Sequence, residues 1–147
     1  MENVLDDNPV CSVERACEIL GGRWTFLVLR ELVAGKTRFS EIRDALGIPP
    51  NVLSARLKTL TDAGVLERRS YQVLGQRNRD SYELTAAGNQ LKIVLAALQQ
   101  WGDEFRPRPS GPSALRRSVE TDEPVRVTLL DAEDHELTPD ELKFVPA

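Results

Sequence analysis

A chain of 147 residues, 41% hydrophobic and 29% charged, with a mean hydropathy of −0.33, reads as one soluble globular domain. Its longest apolar stretches, such as Ile93 to Leu98, span a few residues where a bilayer-crossing helix needs roughly 20. The start from Met1 to Asn8 is polar and acidic with no secretory or lipidation signal, so the cytoplasm is the expected compartment and no membrane is an expected partner.

Residues 1–10 read as a short arm, because Pro9 blocks an early helix. From Ser12, the apolar residues Val13, Ala16, Cys17 and Leu20 recur at helical spacing until Gly21-Gly22, which predicts a first helix with that stripe, Cys17 included, packed in the core. A second helix is expected over Arg23 to Val33, with Trp24, Leu27, Val28 and Leu32 in register and Gly35 at its end. A third spans Arg38 to Leu46 and buries Phe39, Ile42 and Leu46. The connection Gly47-Ile48-Pro49-Pro50 leads into a fourth helix from Pro50 to Ala63, with Gly64 as its C-cap.

Beyond Gly64 the period changes. Val65 to Val73 has the alternation and β-branched content of a strand, Leu74 to Arg79 is a basic connection containing glycine, and Ser81 to Leu84 is a short returning strand. Thr85 caps a long helix over Ala86 to Phe105, which prolines 107, 109 and 112 stop. Pro107 to Ser118 reads as a linker, Val125 to Leu130 as a strand, Asp131 to His135 as a turn, Thr138 to Glu141 as a capping box, and Lys143 to Val145 as a second strand. The organisation expected is a winged-helix DNA-binding and dimerisation domain over residues 1–106, a linker at 107–118, and an extension at 119–147 forming a hairpin packed on that domain or on a dimer mate. The fold class is mainly α with a small β-ribbon: a winged helix-turn-helix with a long C-terminal dimerisation helix.

The net charge of −4 sits badly with a polyanionic partner until its distribution is read. Residues 1–106 carry 14 basic and 14 acidic side chains, and residues 107–147 carry 5 and 9, so the tail holds the whole excess. Residues 36–79 carry 9 basic and 4 acidic side chains, a local +5. In the fourth helix Leu57 and Leu60 fall within about 40° of Leu53 around the axis, so these three form the inward face. Asn51, Ser54, Ala55, Lys58 and Asp62 lie opposite. Asn51 and Ser54, near the helix start, suit base edges or phosphate, and Lys58 suits phosphate. Arg56 lies on the flank, where it contacts DNA or pairs with an acidic neighbour. Arg38 is a phosphate candidate. The ribbon tip Gly75-Gln76-Arg77-Asn78-Arg79 offers Arg77 and Arg79 to a backbone or a minor groove. Arg68 and Arg69 alternate, so only one of them faces the DNA side.

These residues resemble the HxlR-type (DUF24) winged-helix regulators. The matching stretches run from Cys11-Ser12-Val13-Glu14-Arg15-Ala16 and Gly21-Gly22-Arg23-Trp24-Thr25 through Leu29-Arg30-Glu31-Leu32 and Phe39-Ser40-Glu41-Ile42. They continue with Val52 to Leu60, Ala63-Gly64-Val65-Leu66 and Tyr82-Glu83-Leu84-Thr85-Ala86-Ala87-Gly88, covering about residues 10–102. The resemblance implies a bacterial homodimer that binds double-stranded DNA and represses, or less often activates, nearby promoters, with Val52 among the groove-facing positions. Two departures stand out: Ser12 follows the first cysteine where the family usually has proline, and Pro49 precedes the recognition helix where serine or threonine is usual.

A two-fold dimer reads an inverted repeat, and the stripe Leu91, Val94, Leu95, Leu98 and Trp101 is long for a helix serving so small a core, so it is the expected dimer interface. Cys11 precedes the first helix, whose free N–H groups and dipole favour a thiolate, and Arg15 is one turn away. The resemblance implies thiol sensing of oxidants or electrophiles there, which makes an oxidant or small molecule the candidate effector. Two cysteines and one histidine form neither a disulfide framework nor a metal site, and no cofactor is expected. With no phosphate loop and no catalytic triad, and with His135 confined to the tail, an enzyme is not expected. The rival reading is a winged helix used as a protein-interaction or ligand-sensing module without DNA readout.

Overall fold

The computed structural model describes residues 11–146, so the arm expected at residues 1–10 lies outside the described residues. Four helices come first: α1 (Ser12–Leu20), α2 (Arg23–Val33), α3 (Phe39–Leu46) and α4 (Pro50–Asp62). The strands β1 (Leu66–Gln72) and β2 (Asn78–Leu84) form an antiparallel ribbon, followed by α5 (Ala86–Phe105). Two short strands, β3 (Leu129–Leu130) and β4 (Glu136–Leu137), and a 3-10 turn at Pro139–Glu141 complete the order. This is the mainly α, winged helix-turn-helix class that periodicity predicts. The chain forms two compact units, one up to Lys92 and one from Ile93 on, divided within α5.

In the first unit α2 packs against α3, α4 and β2, and α4 packs against β1. Val28, Leu29, Ile42, Ile48, Leu53, Leu57 and Leu60 are at most 2% exposed and make the core. Gly47 closes α3 in the left-handed region at φ 64°, so the chain reverses into α4 within three residues. At the other end of α4, Thr85 joins three elements. Its hydroxyl donates to the Gly64 carbonyl (2.5 Å) and accepts from the Gly88 N–H (3.2 Å), while its own N–H donates to the Val65 carbonyl (3.1 Å). Gly88 is buried against that carbonyl, and a methyl group there would run into the Val65 oxygen. Only glycine lets α5 start this close to the ribbon.

Helix α1 corrects one expectation. None of its residues is buried, Val13 is 66% exposed, and Cys17 is exposed instead of packed in the core. The apolar stripe exists, but none of the described elements buries it.

The second unit holds the end of α5 and the tail. The Gln100 side-chain amide brackets Val127, accepting its N–H (2.9 Å) and donating to its carbonyl (3.0 Å). Val127 is thereby withdrawn from any ladder, and the strand expected over Val125 to Leu130 shrinks to Leu129–Leu130. Its partner is not Lys143 to Val145. The return comes at Glu136–Leu137, with Leu129 opposite Leu137, because the Asp131 carboxylate caps a tight turn by accepting from the Glu133 and His135 N–H groups. The stretch expected as a linker is bonded down: Arg116 pairs with Asp103 (3.4 Å) and its carbonyl accepts from Val125. The Thr138 N–H donates to the Glu141 carboxylate (2.7 Å), the return arm of the capping box.

Glu31 is the buried acid of the first unit. Burial alone would push its carboxyl up, but hydrogen bonds from Lys36 (2.6 Å) and Arg30 (2.8 Å), and their charges, hold it below the usual carboxylate range. Since the Lys36 N–H also donates to the Glu31 carbonyl, the pair pins the turn between α2 and α3. The folded value is depressed, so the stabilisation is present above the unfolded carboxylate value and lost as pH falls through the folded one. We expect Glu31→Gln to cost about 1–3 kcal/mol at neutral pH. In urea titrations that deficit should shrink as pH falls below the unfolded glutamate value of about 4.3 and on through the lower folded one.

Candidate DNA-binding surface

Helix α4 buries Leu53, Leu57 and Leu60 and exposes Asn51, Ser54, Ala55 and Lys58, as the 3.6-residue repeat requires. Val52 and Arg56 are half-buried, and the Arg56 Nε is a buried donor without a hydrogen-bond partner. Pro49 occupies the N-cap and supplies no side-chain bond; the Val52 N–H turns back to its carbonyl at 3.0 Å. Pro50 has no N–H to satisfy, so the proline pair costs this helix start less than a missing cap usually does.

The ribbon pairs Leu66 with Leu84 through Gln72 with Asn78, leaving a five-residue tip that includes Gly75 at φ 79° and an exposed Arg77. The two arginines of β1 part company. Arg69 pairs with Glu67 (3.5 Å) and Glu83 (3.4 Å), whereas Arg68 lies opposite Tyr82 and reaches Asp80 at 3.7 Å.

Between α3, α4 and the ribbon runs a cleft of about 760 Å³. Helix α4 lines it with Ser54, Lys58, Thr61 and Asp62, the start of α3 with Arg38, Phe39, Ser40 and Arg43, and the ribbon with Arg68, Tyr71, Arg79, Asp80 and Tyr82. Five cations thus face two carboxylates. The backbone fixes this arrangement: the Tyr82 N–H donates to the Thr37 carbonyl (2.8 Å), and Arg38 forms a bridge with Ser81 of β2. The Arg38 guanidinium sits 4.7 Å over the Tyr71 ring, which keeps it extended across the cleft. Burial pushes the Tyr82 phenol up, and the Asp80 charge adds to the shift, so the hydroxyl remains a neutral donor.

Of the residues expected from sequence to meet DNA, Arg38, Ser54, Lys58 and Arg79 share this cleft. Asn51, Val52, Ala55, Arg56 and Arg77 do not line it. Arg43, Ser40 and Tyr71 line it without having been singled out, because the cleft forms only when α3 and the ribbon are docked. Most of the cations are paired: Lys58 with Asp62 (2.5 Å), Arg38 with Glu41 (3.5 Å) and Arg43 with Asp44 (2.9 Å), besides Arg68 with Asp80.

Elsewhere, the α5 stripe has Leu91 and Leu95 half-buried, and Val94, Leu98 and Trp101 at 38%, 48% and 55% exposure. Cys11 is exposed at the N-cap of α1. Among the described residues no group of three or more His, Cys, Asp or Glu side chains could hold a metal, and no helix is long and apolar enough to cross a membrane.

Comparison with known proteins places this geometry. Residues 19–110 match the family described as HxlR-like helix-turn-helix. Rv3095, an uncharacterised HTH-type transcriptional regulator of Mycobacterium tuberculosis, is 46% identical over 101 residues, 69% of this chain. The chain spans 63% of the length of that relative. Among solved structures, PA1607, a proposed transcription factor, is similar with a TM-score of 0.80 and 26% identity over 95% of this chain and 97% of its own. The redox regulator HypR in its reduced form matches with a TM-score of 0.59 and 27% identity, over 65% of this chain and 94% of its own.

Proposed function

This chain belongs to the HxlR-like helix-turn-helix family, and from that premise we propose that it is a transcriptional regulator that binds an inverted-repeat DNA operator as a homodimer and represses transcription. The observation that carries the reading is the shared cleft, where the polar face of α4 and the cations of α3 and the ribbon converge on one side of the first unit. An enzyme is disfavoured by kinship, since the relative and the fold neighbours compared above are named as regulators or transcription factors.

In this reading α4 enters the major groove. Asn51, Val52, Ser54 and Ala55 meet base edges near its N-terminal end, while Lys58 and Arg38 take phosphates. Arg77 and Arg79 hold the wing on the flanking backbone or minor groove. Arg56, with its Nε buried, serves as a packing and orienting residue at the edge of the interface. Site selection from random duplexes should return an inverted repeat with half-sites about one or two helical turns apart. Lys58→Ala should weaken all sites alike and lower the salt slope by about one, whereas Asn51→Ala or Ser54→Ala should change the preferred base at particular positions. Absence of binding to any duplex at low salt would favour the protein-contact reading.

The homodimer is supported by Val94, Leu98 and Trp101, which expose an apolar stripe that none of the described residues buries. Sedimentation at micromolar concentration should show a dimer, and Leu98→Glu should shift it to monomer and abolish operator binding while the helical circular dichroism is retained.

For the signal, Cys11 stands at a helix start, exposed, and the fold neighbour HypR is named a redox regulator. Diamide should lower operator affinity of the wild type and of Cys11-retaining Cys17→Ser, but not of Cys11→Ser. Equal responses in both variants would remove Cys11 from the account.

A further inference from the structure

We infer that Asp62 and Asp80 set the affinity ceiling of the DNA face: each holds a cleft cation that a phosphate must take over, so binding to arbitrary duplex stays weak. This inference rests on the DNA-binding reading above.

Two carboxylates stand among the five cations of the cleft, and each lies against one of them, Asp62 on Lys58 at 2.5 Å and Asp80 on Arg68 at 3.7 Å. Neither is where the fold wants an acid. Asp62 is the last residue of α4, at the negative end of the helix dipole. Its i,i+4 pair runs with the cation N-terminal to the acid, the less favourable order. Asp80 lies inside β2, where aspartate is disfavoured, next but one to the buried Tyr82 phenol. Its other contact, accepting the Ser70 hydroxyl at 3.2 Å, is one an asparagine would keep. The acids paired with Arg38 and Arg43 differ: Glu41 sits in the first turn of α3, where the dipole favours an anion, and neither Glu41 nor Asp44 lines the cleft.

A phosphate entering the cleft therefore meets cations already engaged and carboxylates that repel it, so part of the local attraction is cancelled before contact. Phosphate contacts carry no sequence information. Weakening them lowers binding to every duplex and leaves base contacts to decide which sites are occupied.

The test is fluorescence anisotropy of the full chain on a random-sequence duplex and on its selected operator, across a salt titration. Asp62→Asn and Asp80→Asn should each raise affinity for the random duplex roughly three- to tenfold at low salt and steepen the salt slope by about one. The ratio of operator to random affinity should fall. Glu83→Gln is the control, because it removes the same charge from the ribbon outside the cleft, where Glu83 pairs with Arg69; its effect should be less than twofold on the long-range field alone. Thermal melts confirm that each variant is folded. If the wild type binds DNA and both aspartate variants behave like Glu83→Gln, the inference is overturned while the DNA reading stands. If the wild type binds no duplex at low salt, both fall.

Discussion

The outward face of this molecule is set by the burial of one stripe. Leu53, Leu57 and Leu60 are at most 1% exposed, and each fills space against the core that Val28, Leu29 and Ile42 also build. A buried leucine of this kind contributes on the order of 1.5–3 kcal/mol relative to an exposed one. Rotating α4 by even one residue position, about 100°, would surrender most of that and bring Ser54 or Lys58 into the core. The polar face therefore has no freedom of azimuth. Ser54 and Lys58 stand in the cleft because three leucines cannot stand anywhere else.

The ribbon needs a separate constraint, because a two-stranded hairpin is barely stable by itself. Two hydrogen-bonded ties supply it, one through the Thr85 hydroxyl and one through the main chain. At the base, Thr85 bonds the Gly64 turn to the start of α5, with Gly88 allowing the close approach. Along its side, the Tyr82 N–H is held by Thr37, one residue before Arg38. The second tie makes the start of α3 a neighbour of β2 and so places Arg38 over Tyr71. The helix-borne cations and the ribbon-borne cations share a cleft because main-chain bonds, not side-chain attraction, bring their elements together; like charges alone would drive them apart.

The elements of the first unit were legible because each has one clear local signal. Glycines end α1 to α4, proline opens α4, and the shift from a period of 3.6 to one of two marks β1. The face of α4 followed from arithmetic on three leucines. What was not legible has a physical reason in each case. Cys17 belongs to a genuine amphipathic stripe, and a pattern records that a face is apolar without recording what covers it. The tail strands were expected over Val125 to Leu130 and Lys143 to Val145, but Val127 spends its backbone groups on Gln100, a residue 27 positions away, and no local propensity encodes that bond. Tyr71 and Arg43 were missed as lining residues because the cleft exists only once α3 and the ribbon are docked. The pairing of Lys58 with Asp62 was visible in spacing alone, whereas that of Arg68 with Asp80 needs the ribbon register.

Electrostatics connects these observations. A chain of net charge −4 approaches nucleic acid with no long-range advantage, since beyond about 8–10 Å in physiological salt exposed charges are screened. Attraction must come from local fields, and here five of the nine basic side chains of the stretch from 36 to 79 line one concave surface. Folding concentrates that charge but also imports its counter-charge, because Asp80, outside the stretch in sequence, returns into the cleft beside Arg68. The local field is thus strong in cations and partly neutralised by design of the register. On the proposed DNA-binding reading, a surface built this way would gain little from phosphates in general and would depend on the polar groups of α4 for the rest, which is the balance a protein needs when its specific sites compete with a large excess of ordinary duplex.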